Sequence, residues 1–193
     1  MLVCIDPGHG YQDPGAVNHE TGDKEKDIVL HYGLELMAQI RDAGFKTIMT
    51  RSRDVYLPLR SRCKIANSGI PHRPQRSDLF ISLHCNGFNN PEAHGWEVLT
   101  SPGETNADIL ATMIAGKVEA AFPGLRMRYD MRDGDPDKEA KFFVLMKTYM
   151  PAVLVELGFI TNADDLKRIK NKRSMKKMVG AITKGVVEYA ERE

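Results

Sequence analysis

Apolar residues in this chain fall into short dense runs that alternate with longer stretches of helical spacing, and the first run begins at once. Met1-Leu2-Val3-Cys4-Ile5 predicts a strand that leads into the turn Asp6-Pro7-Gly8-His9-Gly10, followed by a loop of turn formers from Tyr11 to Asp23. Glu25 to Asp42 then carries Ile28, Leu34, Leu36, Met37 and Ile40 at helical intervals, with Gly44 placed to stop the helix. Phe45 to Thr50 alternates as a second strand, and Leu59 to Ala66 reads as a short helix closed by Asn67-Ser68-Gly69. The segment Gly69 to Ser77 is a loop rather than a linker, because a core strand resumes directly at Leu79 to Leu83. Trp96 to Thr100 predicts an edge strand, and Ala107 to Phe122 a helix. Gly124 to Lys141 is polar and turn-rich, the kind of segment that gates a cleft. A last apolar strand, Ala152 to Val155, precedes helices over 163–170 and Ser174 to Ala190, the second packing Met178, Ile182, Val186 and Val187 inward. The alternation predicts an α/β fold, with residues 1–193 forming one domain.

Composition narrows this without redirecting it. With 193 residues, 42% of them hydrophobic and 27% charged, the chain has enough apolar material for one core, and a net charge of +1 gives no reason to expect nucleic acid. Cys4, Cys63 and Cys85 lack CxxC spacing, so neither a disulfide framework nor a thiolate zinc knot is expected. No run approaches the ~20 apolar residues of a membrane span. Met1 to Asp6 enters a strand with no basic leader, so the chain as it stands is expected to be made in the cytoplasm without a signal peptide. One local departure is the basic block Lys167, Arg168, Lys170, Lys172, Arg173, Lys176 and Lys177, which has no acid inside it. It reads first as a solvated helix face, and more sharply as a patch attracted electrostatically to an anionic surface.

The chemistry concentrates where strands end. In α/β sheets functional groups gather beyond the carboxyl ends of the strands, and His9, His84 and Glu156 all fall there. Two imidazoles and a carboxylate are a common ligand set for a catalytic zinc that keeps one position for water. Asp6, Glu20, Glu25 and Glu156 are the available acids. Asp6 suits loop orientation and Glu20 lies in a turn-rich loop, whereas Glu25 opens a helix and is held more rigidly. Spacing favours Glu25 as third ligand and leaves Glu156 for general base, without deciding between them. The glycines around His9 are expected to let the backbone turn sharply. His19, His31 and His72 read as surface residues, His94 as a loop residue, Cys85 as core, and Trp96 equally as core or as a platform for a sugar.

Taken together, Asp6-Pro7-Gly8-His9-Gly10 with Asp13-Pro14-Gly15-Ala16, Glu25, Thr50-Arg51 with Asp54, Leu59 with Arg62, Ala66-Asn67, Ile81 to Asn86, and Pro151 to Asn162 resemble the zinc-dependent N-acetylmuramoyl-L-alanine amidases of the amidase type 3 family. The resemblance runs from first strand to last helix in the family's order. It implies a twisted, mixed, mostly parallel sheet of about six strands flanked by helices. It implies Zn2+ bound by His9, Glu25 and His84, with Glu156 as the catalytic residue. The implied substrate is peptidoglycan, cut at the amide between the lactyl group of N-acetylmuramic acid and L-alanine. A phage or prophage endolysin, acting on the wall after release, fits a chain without a leader. The catalytic domain of a longer exported autolysin or division amidase is the alternative. A zinc carboxypeptidase and a catalytically silent wall-binding module are the remaining readings, the first lacking an evident arginine for a terminal carboxylate.

Overall fold

The computed structural model describes residues 1–72, 74–132 and 134–192, so the loop and flap expectations at Arg73 and Asp133 lie outside the described residues. Twelve elements are described in it: β1 (Leu2–Pro7), α1 (Glu25–Asp42), β2 (Lys46–Met49), α2 (Leu59–Ser68), β3 (Leu79–Asn86), β4 (Glu97–Thr100), α3 (Asn106–Ala121), β5 (Lys138–Glu139), α4 (Phe143–Lys147), β6 (Ala152–Phe159), α5 (Ala163–Lys170) and α6 (Lys172–Ala190). The strands form one sheet in the order β2-β1-β3-β6-β4-β5. The first four run parallel, β4 is antiparallel to β6, and β5 is parallel to β4. The α/β single-sheet architecture expected from the sequence is therefore present.

Strand alternation sorts residues onto two unequal faces. Val3, Ile5, Ile81, Leu83, Val153 and Val155 pack with α1, α3 and α6 in the larger core. Cys4, Phe80, Leu99 and Leu154 meet Cys63 and Ala66 of α2 and Val144 and Leu145 of the five-residue α4. On this second face the alternation also carries polar groups: Asp6 pairs with Ser82, His84 with Glu156, and Glu156 with Glu97. Short helices cover it, and that leaves room for a cleft.

Several boundaries differ from expectation for identifiable reasons. The strand over Glu97–Thr100 is interior rather than an edge, because the two residues of β5 hydrogen-bond beside it. Two residues carry no periodicity to read. β3 and β6 continue past His84 and Glu156, with a register shift between His84 and Asn86, so both residues sit within strands rather than ending them. Helix α4, five residues long, is too short to show a helical pattern in the sequence. Helix α6 starts at Lys172, where Asn171 caps it by accepting from Ser174 N–H. Met178, Ile182 and Val186 are buried as expected, while Val187 is half-buried and Tyr189 takes the inward position. No helix among the described residues is long and apolar enough to cross a membrane.

Candidate metal centre

The turn after β1 holds His9 in a left-handed conformation, φ 57°, followed by Gly10 at φ 137°. A non-glycine residue there costs on the order of 1–3 kcal/mol and persists only where its surroundings hold it. Two buried arginines do so. Arg51 donates to the carbonyls of Pro7, Gly8 and Lys26 at 2.9, 2.6 and 2.8 Å. Arg62 donates to Asp6 Oδ1 at 2.8 Å and to the carbonyls of Pro7 and His9. Asp6 also accepts from Thr50 and Ser82, so it ties three strands together beneath the turn, as a loop-orienting acid should. The glycines divide the work differently from expectation. Gly10 supplies the permissive backbone angle, whereas Gly8 supplies space, since a Cβ there would overlap the His84 ring. A Cβ at Gly15 would likewise strike Glu25 and His9.

His9, Glu25 and His84 come together across 76 residues of sequence, their nearest ligand atoms all within 4.8 Å of one another. His9 Nε2 lies 3.2 Å and His84 Nδ1 2.8 Å from Glu25 Oε1, and the two imidazoles meet edge to face at 5.0 Å. His9 Nδ1 faces Asp13 Oδ1 at 2.9 Å, so with a metal bound Asp13 would keep the proton on Nδ1 and free Nε2, which in the metal-free cluster faces Glu25, to serve as a ligand. Glu25 is anchored by the N–H groups of Ala16 and Cys85, at 2.8 and 3.0 Å. Burial works against its charge, but hydrogen bonds from His84 and His9 outweigh it and hold the carboxyl well below the usual carboxylate range. Partial burial disfavours protonated His9, yet the carboxylates of Glu25 and Asp13 prevail and raise its pKa. Two imidazole nitrogens and one anionic oxygen, with an outer carboxylate fixing a tautomer, fit a tetrahedral divalent ion that retains an open position. A cavity of about 100 Å³ opens against this cluster, lined by His9, Asp13, Tyr56, Leu59, His84 and Val144.

Glu156 stands next to His84 across the β3–β6 ladder, on the same face. Its Oε2 is buried without a hydrogen-bond partner. Burial and then the anions Glu25 and Glu97 push its pKa well above the ordinary value. Glu97, the next residue across the sheet, accepts from Asn86 Nδ2 at 2.6 Å, Arg128 Nε at 2.9 Å and Lys138 Nζ at 2.5 Å. Nothing in the sequence signals Glu97 or Lys138, because the contact depends on β5 lying beside β4. Asp13, Arg51 and Arg62 fall within motifs legible in the chain, but only the fold shows what they hold. Glu20 is exposed and apart from the cluster; His19, His31, His72 and His94 are exposed too. Trp96 is fully buried and serves the core, as does Cys85. In the basic block, Arg168 pairs with Asp165, Lys170 with Asp23, and Lys177 lies over the Phe122 ring, while Lys167, Lys172, Arg173 and Lys176 are exposed outside those contacts.

A family model described as N-acetylmuramoyl-L-alanine amidase matches residues 3–188. The chain is similar to N-acetylmuramoyl-L-alanine amidase AmiA of Escherichia coli (strain K12), 30% identical over 225 residues, with 97% of this chain and 75% of AmiA covered. It is similar to LytC of Bacillus subtilis (strain 168) at 34% identity, spanning 97% of this chain and 35% of LytC. Among solved structures, N-acetylmuramoyl-L-alanine amidase AmiC2 of Nostoc punctiforme superposes with a TM-score of 0.87 at 30% identity, covering 100% of this chain and 98% of that one. The amidase from Clostridium difficile 630 gives 0.88 at 27% identity, covering 100% and 97%.

Proposed function

Because the chain belongs to the N-acetylmuramoyl-L-alanine amidase family, we propose that it hydrolyses the amide between the lactyl group of N-acetylmuramic acid and L-alanine in peptidoglycan, using zinc held by His9, Glu25 and His84 and a proton shuttled by Glu156. The observation that carries this is the placing of a buried, unpartnered carboxylate oxygen of Glu156 beside the converging His9, Glu25 and His84. The chemistry serves a lytic enzyme and a wall-remodelling one equally.

When bound, zinc makes a water nucleophilic near neutral pH and draws electron density from the scissile carbonyl. The protein's own residues supply the rest. Asp13 keeps His9 in the tautomer that offers Nε2. Glu25, ionised throughout the neutral range, contributes the negative charge a divalent cation needs. Glu156 accepts a proton from the attacking water and passes it to the departing alanine nitrogen: its raised proton affinity makes it a stronger base towards the water, and the leaving amine is more basic still. The side chains of Tyr56, Leu59 and Val144 line the cavity beside the cluster and give it an apolar wall.

Digestion of purified peptidoglycan with zinc-loaded and chelated protein tests this reading. New L-alanine amino termini, without new reducing sugars and only with zinc, are expected; new ends within the stem peptide would instead indicate a carboxypeptidase or endopeptidase. Glu156→Gln with zinc retained is expected to lower the rate by about 10²–10⁴-fold, and undiminished turnover would remove Glu156 from its role. The exposed cations Lys167, Lys172, Arg173 and Lys176 support attraction to an anionic envelope. Wall binding in the same assay should weaken with salt and with their reversal to glutamate, and binding indifferent to both would reduce the block to plain surface.

A further inference from the structure

Two cations converge on one carboxylate beside Glu156. Arg128 Nε and Lys138 Nζ both donate to Glu97 Oε2, at 2.9 and 2.5 Å, while Asn86 occupies Oε1. One cation suffices to neutralise Glu97, so the cluster carries one surplus positive charge. Glu97 is largely buried, whereas the side chains of Arg128 and Lys138 are each 28% exposed and open to a ligand. Both are held rather than waving: Glu97 pins them from the rigid sheet, and the Arg128 guanidinium also lies 5.1 Å over the Phe159 ring.

The sheet order gives this charge a direction. His84 on β3, Glu156 on β6 and Glu97 on β4 are neighbours across the sheet, and Lys138 on β5 follows. Strands lie about 4.8 Å apart, so the cations sit one to two strand spacings beyond Glu156, on the side away from the His9–Glu25–His84 cluster. The nitrogen that leaves must come within hydrogen-bond reach of Glu156 to receive its proton. The peptide attached to that nitrogen therefore continues towards β4 and β5, while the sugar remains on the β1 side. The residue after L-alanine arrives where the surplus charge lies.

Resting on the activity proposed above, we propose that Lys138 and Arg128 form a subsite for the free carboxylate of the residue that follows L-alanine in the stem peptide, and so select substrates in which that group is not amidated. The amide's carbonyl oxygen can still accept from these cations but carries no full negative charge, so the contact is weaker than with the carboxylate, while Glu97 keeps the cations in place for either substrate.

The test compares cleavage of two N-acetylmuramoyl peptides, identical except that the α-carboxyl group of the second residue is free in one and carboxamide in the other. The zinc-loaded wild-type chain is expected to favour the free acid by on the order of ten- to a hundredfold in kcat/KM. Lys138→Met should bring that ratio several-fold closer to one, Arg128→Met should do so too, and Lys138→Arg should retain most of it. Because the ratio is taken within one preparation, partial unfolding of a variant cancels. Equal cleavage of both peptides by the wild type, or a ratio unchanged in both methionine variants, overturns the subsite. Release of L-alanine termini from neither peptide overturns the parent activity, and the subsite with it.

Discussion

His9 commits one ring nitrogen to Asp13 and turns the other towards Glu25, a division that would leave Nε2 free for a metal in the cluster. Replacing the outer partner isolates the effect. Asp13→Asn keeps the shape but loses the charge, and zinc affinity is expected to fall by about 10- to 100-fold, read by competition with a chromophoric chelator. Unchanged affinity would mean that the tautomer is fixed by something other than Asp13. The residues proposed to do the chemistry are legible in the chain because they are unusual in their surroundings: histidines and an acid set among apolar strand residues call for a purpose. Arg51 and Arg62 were legible only as members of a motif. Their targets are backbone carbonyls, and a carbonyl leaves no mark on the sequence.

Among the elements, β5 is the smallest and the most conditional. It is two residues long, and it is joined to β4 through Thr100, whose hydroxyl donates to the buried carboxylate of Asp137. Burial first, and then the neighbouring carboxyl of Asp135, push the Asp137 pKa up to about 7. In the unfolded chain the group returns to about 3.9. The folded state therefore holds a proton that the unfolded state has released, and this contribution is complete below pH ~4 and lost as pH rises through about 7. The thermal midpoint of the wild type should fall from pH 5 to pH 8 relative to that of Asp137→Asn, which cannot titrate at this position. Parallel curves for the two proteins would show that Asp137 titrates as an ordinary surface acid. Neither β5 nor α4 can be read from periodicity, since two and five residues do not complete two periods of a strand or a helix.

At the scale of the whole molecule, the site consists of positions far apart in the chain, so any ion bound there ties the first strand, the first helix and the third strand together. A ligand present at a hundred times its Kd and bound only by the folded chain stabilises it by about 2.7 kcal/mol, which for a domain of this size corresponds to roughly 5–10 °C in Tm. Zinc should raise the Tm by that order and excess chelator should reverse it, with the shift abolished in a His9→Ala, His84→Ala double variant; a zinc-induced shift that survives in that variant would place the ion elsewhere. The alternation of apolar runs determined the fold class by itself, because each run must bury one face of a strand or one stripe of a helix, and parallel strands with intervening helices are the arrangement that satisfies them all. Residue type and spacing marked out the candidate ligands and base, because imidazoles and carboxylates set among apolar residues call for a partner, while their separate roles came from the resemblance to the family. The tertiary structure decided what depends on neighbours across the sheet: that β4 is interior, that Gly8 exists to admit the His84 ring, and that Glu97 gathers Arg128 and Lys138 beside Glu156. Strand order and side-chain reach are set by packing between segments distant in sequence, and no local pattern encodes them.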